Sequence, residues 1–355
     1  MGRLLRAATR RIAPAHIRYV RPVPPETAAE PVARVYRQVE ADFGMLAPPV
    51  ALHAPAPPVL AACWSILRET LLVPGRASRA DKEAVAAAVS VANRCPYCLD
   101  VHGAALTGLL AGPDAARIAA GGIDKVIDPR LRALVRWART GEGPEPFPPA
   151  QRPELAGVAL IFHYINRMVN VFLRDSPLPA VPRPAERVLR RTAASVLGRL
   201  GRVQVAAGSS LDLLPDAGPL EGTAWAATVP HIAQALNRGG AAIAAAGERS
   251  VPTRVRELVE ARLDDPDFEG PGISARAWLD GTVRPLPPAD RPAARVAMLT
   301  AYASYRVTPE LVAQCRSDDA QLIELTAWAA FAAARRTAGR LEPHEGKRGD
   351  VSPPV

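Results

Sequence analysis

Apolar residues in this chain arrive in Ala-rich runs that Pro, Gly or Arg cut short, and they seldom alternate with polar ones. The run Ala84-Val-Ala-Ala-Ala-Val89 is typical. Alanine is the best helix former, whereas a half-buried strand needs period-two alternation and prefers β-branched or aromatic residues. Aromatic residues make up only 5% of the chain, so the core must be filled by Ala, Leu and Val. The expected fold class is therefore all-α. The 37 prolines and 25 glycines mark where helices stop. Helices are expected over about 30–43, 59–73, 78–93, 96–110, 114–120, 129–139 and 153–173. Ser78 and Asp81 form a capping-box-like pair at the start of the third. No run of about 18–20 apolar residues is free of charge, so no membrane span is expected.

The net charge is +9, from 44 basic and 35 acidic residues. An anionic partner is one reading of such a balance. The basic residues do not cluster with aromatics and no nucleic-acid motif is present, so nucleic acid is not an expected partner. Residues 1–25 contain several Arg and lack the apolar core of a secretory signal. They are read as a loosely attached basic arm on a cytoplasmic protein.

Four cysteines are present: Cys63, Cys95, Cys98 and Cys315. Four in so long a chain do not make a disulfide scaffold. Cys63 and Cys315 stand alone in apolar helical context and are expected to be small packing residues. Cys95-Pro-Tyr-Cys98 is a Cys-x-x-Cys motif. With Pro96 as the first helical residue, Cys95 occupies the cap position, and the positive end of the helix lies beside both sulfurs. That favours a thiolate and points to Cys95 as the more acidic thiol. Cys98 and His102 are four apart and share a helix face. A histidine there can take the thiol proton, which points to Cys98 as the nucleophile instead. Glu83, twelve residues before Cys95, sits on the preceding helix and could complete a relay with His102. Zinc would need two more ligands than the motif supplies, and His102 offers one. No metal and no cofactor is expected, since no Gly-rich fingerprint for a flavin or nicotinamide is present.

The second half of the chain echoes the first. Pro31-Val-Ala-Arg-Val-Tyr-Arg37 parallels Pro184-Ala-Glu-Arg-Val-Leu-Arg190, Pro58-Val-Leu-Ala61 parallels Pro230-His-Ile-Ala233, and one offset brings Gly75 onto Gly247 and Ser78 onto Ser250. Segments 130–138 and 295–303, and 155–173 and 322–341, continue the order. This argues for an internal duplication. Carried forward, the offset places Cys95 on Asp267, Cys98 on Gly270, His102 on Ser274 and Glu83 on Val255. The second repeat is thus expected to keep the helices and to have lost the reactive groups.

Glu83, eleven intervening residues, Cys95-Pro-Tyr-Cys98, then Leu-Asp-Val and His102 resemble the signature of the carboxymuconolactone decarboxylase/AhpD-like alkylhydroperoxidase superfamily. The helix Phe162-His-Tyr-Ile-Asn-Arg-Met168 is similar to a stretch common among its thiol-bearing members. The resemblance implies an AhpD-like helical fold that assembles into homo-oligomers. It also implies a peroxidase in which Cys98 attacks a hydroperoxide, Cys95 resolves the product to a disulfide, and Glu83 and His102 relay protons. An external dithiol or protein reductant would restore the thiols. Tyr97 departs from the pattern, because AhpD-like proteins carry a second His there, and the departure bears on the speed of peroxide reduction. Tyr97, His163, Asn166 and Arg167 are further candidates to line the site. The implied organisation is a basic arm over 1–25, an AhpD-like domain over 26–175, a Pro-rich linker over 176–184, a degenerate repeat over 185–342 and a tail over 343–355. The alternatives are a thiol–disulfide oxidoreductase, a redox-sensing or structural oligomer, and a lactone-processing lyase of the decarboxylase branch.

Overall fold

The computed structural model describes residues 10, 13–141, 143–177, 183–315 and 317–339. Fifteen α-helices run through them: α1 (Val32–Asp42), α2 (Pro48–Ala51), α3 (Pro57–Leu67), α4 (Arg79–Ala92), α5 (Pro96–Leu109), α6 (Asp114–Ala119), α7 (Pro129–Thr140), α8 (Arg152–Phe172), α9 (Arg183–Leu200), α10 (Pro230–Ser250), α11 (Thr253–Asp264), α12 (Ala275–Val283), α13 (Arg291–Ala303), α14 (Pro309–Cys315) and α15 (Asp319–Gly339). Among the described residues the only β pairing is a single bridge between Ile17 and Leu173. The all-α expectation holds. The helices of the first half begin and end within a few residues of where Pro, Gly and capping residues place them. Ser78 Oγ accepts from the amide of Asp81 at 3.0 Å and donates to its carboxylate at 2.8 Å. Those bonds satisfy an orphan donor at the start of α4.

Two helices form the centre. α8 is almost wholly buried and is apolar and long enough to cross a membrane, but its surface faces protein. It packs on α15, its counterpart in the second half, while α3 packs on α10 in the same way. Elements paired by the sequence echo thus pack against each other across the two halves. The offset drifts beyond α11, however. Residues 265–274, which hold Asp267, Gly270 and Ser274, lie outside any helix, and Ser274 caps α12 by accepting from the amide of Ala277. The second half did not keep a helix at those three positions, because a loop takes up that stretch.

Residues 13–25 of the expected arm are folded against the body: Arg18 donates its amide to the Phe172 carbonyl at 2.7 Å. Arg10 donates Nη2 to Glu40 at 2.6 Å; residues 1–9, 11 and 12 of that arm, residues 178–182 of the expected linker and the tail over 343–355 lie outside the described residues. Of the isolated cysteines, Cys63 is fully buried and Cys315 partly so. A turn of π-helix, Arg68–Leu72, extends α3 and buries Arg68 and Glu69. Arg68 donates to Asp42 at 2.7 Å and to Glu69 at 2.6 Å, and Ser210 donates to Glu69 at 2.8 Å, tying α1, α3 and the second half together.

A second buried pair fixes the N-terminus of α8. Lys82 lies 2.7 Å from Glu154, which also accepts from the amide of Arg76 at 2.6 Å. Gly75 is required here, since a Cβ would stand 2.4 Å from the Glu154 carboxylate. Lys82→Met would leave that carboxylate buried and unpaired. A loss of about 3–5 kcal/mol is expected, read as a lower urea midpoint with an unchanged m-value.

Candidate active site

The dithiol sits at the tight turn between α4 and α5. Asn93 ends α4, and Arg94 takes a left-handed conformation (φ 51°) that reverses the chain. Its guanidinium stacks 5.0 Å from the ring centre of Tyr305, a residue of the second half. Cys95 then donates its amide to the Ser90 carbonyl at 2.9 Å and caps α5, with Pro96 in the first turn. Both cysteines are free thiols. Cys95 is 1% exposed and Cys98 2%. Burial and the neighbouring Cys98 push the Cys95 thiol well above the usual thiol range. At Cys95 desolvation opposes the helix-end effect expected from the sequence.

Glu83 and His102 meet as their spacing suggested. Glu83 Oε2 lies 2.7 Å from His102 Nδ1. Arg79, one turn earlier on α4, donates Nε to the other carboxylate oxygen at 2.8 Å. Burial opposes the charge on Glu83, but Arg79 and His102 outweigh it and hold the carboxyl down at about 2. With Nδ1 engaged, Nε2 is the ring nitrogen left to serve the reaction. The imidazole is held edge-to-face against Phe162, with centroids 4.5 Å apart.

Cys98 and His102 open onto a cavity of about 1070 Å³. Its walls are apolar for the most part: Phe43, Leu67 and Leu71 on one side, Phe162 and Ile165 of α8 on another, and Leu189 and Leu197 of α9 as a roof. Tyr97 contributes to the wall, whereas Cys95 and Glu83 do not. α9 can approach α5 closely because Gly108 and Gly198 meet; a Cβ on Gly108 would stand 2.1 Å from the Ala194 carbonyl oxygen.

His163, Asn166 and Arg167 do not line this cavity and instead gather around Asn93. Asn93 Nδ2 donates to Asn166 Oδ1 at 3.1 Å and lies 3.0 Å from His163 Nδ1. Arg167 Nη1 donates to Asn93 Oδ1 at 3.1 Å. Asn166 Nδ2 donates to Ser90 Oγ at 3.2 Å. Burial, reinforced by the Arg167 charge, holds His163 well below the usual imidazole range, so it is neutral.

Several participants escaped the sequence reading. Arg79 carries a local signal, four residues before Glu83 on one helix face. Asn93 and Ser90 carry none, because their partners on α8 are more than 70 residues away. Nor does sequence place α9 over the dithiol.

Residues 57–140 match the Carboxymuconolactone decarboxylase family. The chain is 37% identical over 328 residues to an alkyl hydroperoxide reductase of Mycobacterium tuberculosis (strain H37Rv), covering 90% of this chain and 93% of that one. A solved structure from Ralstonia eutropha JMP134, described as an alkylhydroperoxidase AhpD core and an uncharacterized peroxidase-related protein, is 22% identical. It covers 53% of this chain and 98% of its own, with a TM-score of 0.39. The matched family segment contains Glu83, both dithiol cysteines and His102, and the M. tuberculosis relative matches along nearly the whole length. The chain belongs to the AhpD-like carboxymuconolactone decarboxylase superfamily.

Proposed function

We propose that this chain is a thiol-dependent peroxidase that reduces organic hydroperoxides, with Cys98 as the attacking thiol, Cys95 as the resolving thiol and Glu83–His102 as the proton relay. The observation that carries the reading is the division of the site: Cys98 and His102 share the wall of an apolar cavity, and Cys95 and Glu83 stand behind them. The name of the M. tuberculosis relative, alkyl hydroperoxide reductase, supports the same activity. The working unit is the domain over 26–175; the repeat over 185–342 contributes the roof helix and the partners of α3 and α8.

The cycle balances as follows. His102 takes the Cys98 proton. The thiolate attacks the distal peroxide oxygen, forming an S–O bond and breaking O–O. The departing alkoxide takes the proton from His102 and leaves as alcohol. The Cys95 thiol then attacks the Cys98 sulfenic acid, water leaves, and a Cys95–Cys98 disulfide remains. An external dithiol supplies two electrons and two protons to restore both thiols. Glu83 holds the His102 ring in place and balances its charge while it carries the proton.

The test compares two substrates. Reduced protein is given cumene hydroperoxide with dithiothreitol, or a small disulfide with the same donor. Peroxide turnover well above disulfide turnover supports a peroxidase; the reverse order assigns the dithiol to disulfide exchange. The cavity gives a second check. Ile165→Trp is expected to raise KM for cumene hydroperoxide by about tenfold while hydrogen peroxide turnover changes little, because only the bulky substrate needs the filled volume.

A further inference from the structure

We propose that Arg79 is a positioning residue of the dithiol site: it pins one oxygen of Glu83, turns the other to His102, and keeps the proton taken from Cys98 on the imidazole. The inference deepens the proton relay above and rests on it.

Arg79 is the first residue of α4. A cation there lies against the positive end of the helix, where an acid is preferred. Base before acid is also the weaker order for an i,i+4 pair. Helix formation does not account for an arginine at this position; its contact with Glu83 does. Its side chain is 18% exposed and that of Glu83 1%. Nε donates to Glu83 Oε1 at 2.8 Å, and Oε2 lies 2.7 Å from His102 Nδ1. Both oxygens are committed, and the carboxyl cannot turn from His102 without losing Arg79.

The same contacts decide where a proton can rest. A guanidinium only donates, so a proton on Oε1 would face the Arg79 N–H. A proton passed to Oε2 would leave the guanidinium beside a neutral acid in a buried site. Burial alone pushes the Glu83 carboxyl up, and the Arg79 charge is the largest pull against it. The relay therefore stops at His102, and the proton returns from the imidazole to the departing alkoxide. Arg79 also evens the charge. The Cys98 thiolate and the Glu83 carboxylate are two anions against one imidazolium, and the guanidinium supplies the second cation. Other charges on the elements packed against α4 are engaged elsewhere: Lys82 with Glu154 of α8, Asp81 with Arg130 of α7, Arg117 with Asp114 on α6, and Arg68 with Glu69 in the π-helical turn. On α5, Asp100 accepts from Ser176 at 3.3 Å. His163 and Arg167 gather around Asn93 at the far end of α4.

The experiment reads Cys98 without peroxide. In the Cys95→Ser background, alkylation of Cys98 by iodoacetamide is timed by peptide mass over about pH 5 to 10. Arg79→Ala is expected to move the midpoint up by about one pH unit or more, because loss of a cation makes a coupled thiol–imidazole site hold its proton. Arg79→Gln gives the same reading should the alanine variant not fold. Arg79→Lys keeps the charge, and its midpoint should stay within about half a unit of the unaltered one. Arg79 also lines a second cavity of about 230 Å³, bounded by Leu71, Val203 and Gln204. Guanidinium ion added to Arg79→Ala at a non-denaturing concentration can enter there and should bring the midpoint back. Urea, of the same shape and neutral, should not, although it would fill a mere packing defect equally well. An unmoved or lowered midpoint in the neutral variants, an equal shift in Arg79→Lys, no return with guanidinium or an equal return with urea would overturn the proposal. Failure of the unaltered protein to consume cumene hydroperoxide, with the Arg79 shift intact, would instead sink the peroxidase reading alone.

Discussion

Replacing Cys98 with serine is expected to abolish peroxide turnover, by a factor of about 10³ or more, because the hydroxyl is a far weaker nucleophile than the thiolate at neutral pH. The side chains are close in size, so the fold should survive and the loss should be read as chemistry. Cys95→Ser behaves differently. The cavity, Cys98 and His102 all remain, and one equivalent of hydroperoxide should still be consumed at close to the original rate. Turnover with dithiothreitol should then be slow, because a Cys98 sulfenic acid without its resolving thiol must wait for an external one. Steady-state rates beside a single-turnover burst distinguish the two variants. Equal losses would mean that the division of labour between the sulfurs is wrong.

Glu83→Gln is the second large effect. The amide cannot balance the charge that His102 carries while it holds the Cys98 proton, and it leaves Arg79 without its acid. A loss of about 10²–10⁴-fold in kcat is expected, the range for disabling a general acid–base group, with a smaller change in KM because Glu83 does not line the cavity. The same residue sets an acid limb of stability. Its carboxyl is held at about 2 in the folded protein against the ordinary 4.5. A depressed carboxylate contributes stability that is fully present above the unfolded value and is lost as pH falls through the folded one. The unaltered protein should therefore lose on the order of 3 kcal/mol between about pH 4.5 and 2 from this group. The Gln variant should be less stable at pH 7 and should lack that part of the decline. Urea midpoints of both proteins at pH 7 and pH 3 check the sign: the gap between them must narrow at the lower pH.

Much of the site was legible because its parts are local. Pro96 and the helix spacing place Cys95, Cys98 and His102 on one turn-rich stretch, and Ser78 announces the helix that carries Glu83. Twelve residues of sequence separate Glu83 from Cys95, and the reversal at Arg94 folds that distance back on itself. What was not legible depends on long-range packing. Asn93 and Asn166 are 73 positions apart and meet only because α4 lies along α8. Phe162 and Ile165 lie on the same apolar stripe as Val169 and Phe172, and the pattern cannot tell cavity wall from core. A helix terminus at Cys95 is visible in sequence, but the burial that opposes its effect on the thiol is not. The repeat was visible through Pro, Gly and Arg positions until the loop over 265–274 shifted the offset.

The central claim is that Cys98, the thiol facing the cavity, is the one that peroxide oxidises. Its most direct test is to treat the Cys95→Ser and Cys98→Ser proteins with one equivalent of cumene hydroperoxide in the presence of dimedone, and to locate the sulfenic acid adduct by peptide mass. The account predicts a rapid, near-stoichiometric adduct on Cys98 in the first protein and little or none on Cys95 in the second. Comparable labelling of Cys95 when Cys98 is absent, or no labelling of Cys98 in the first protein, would contradict it.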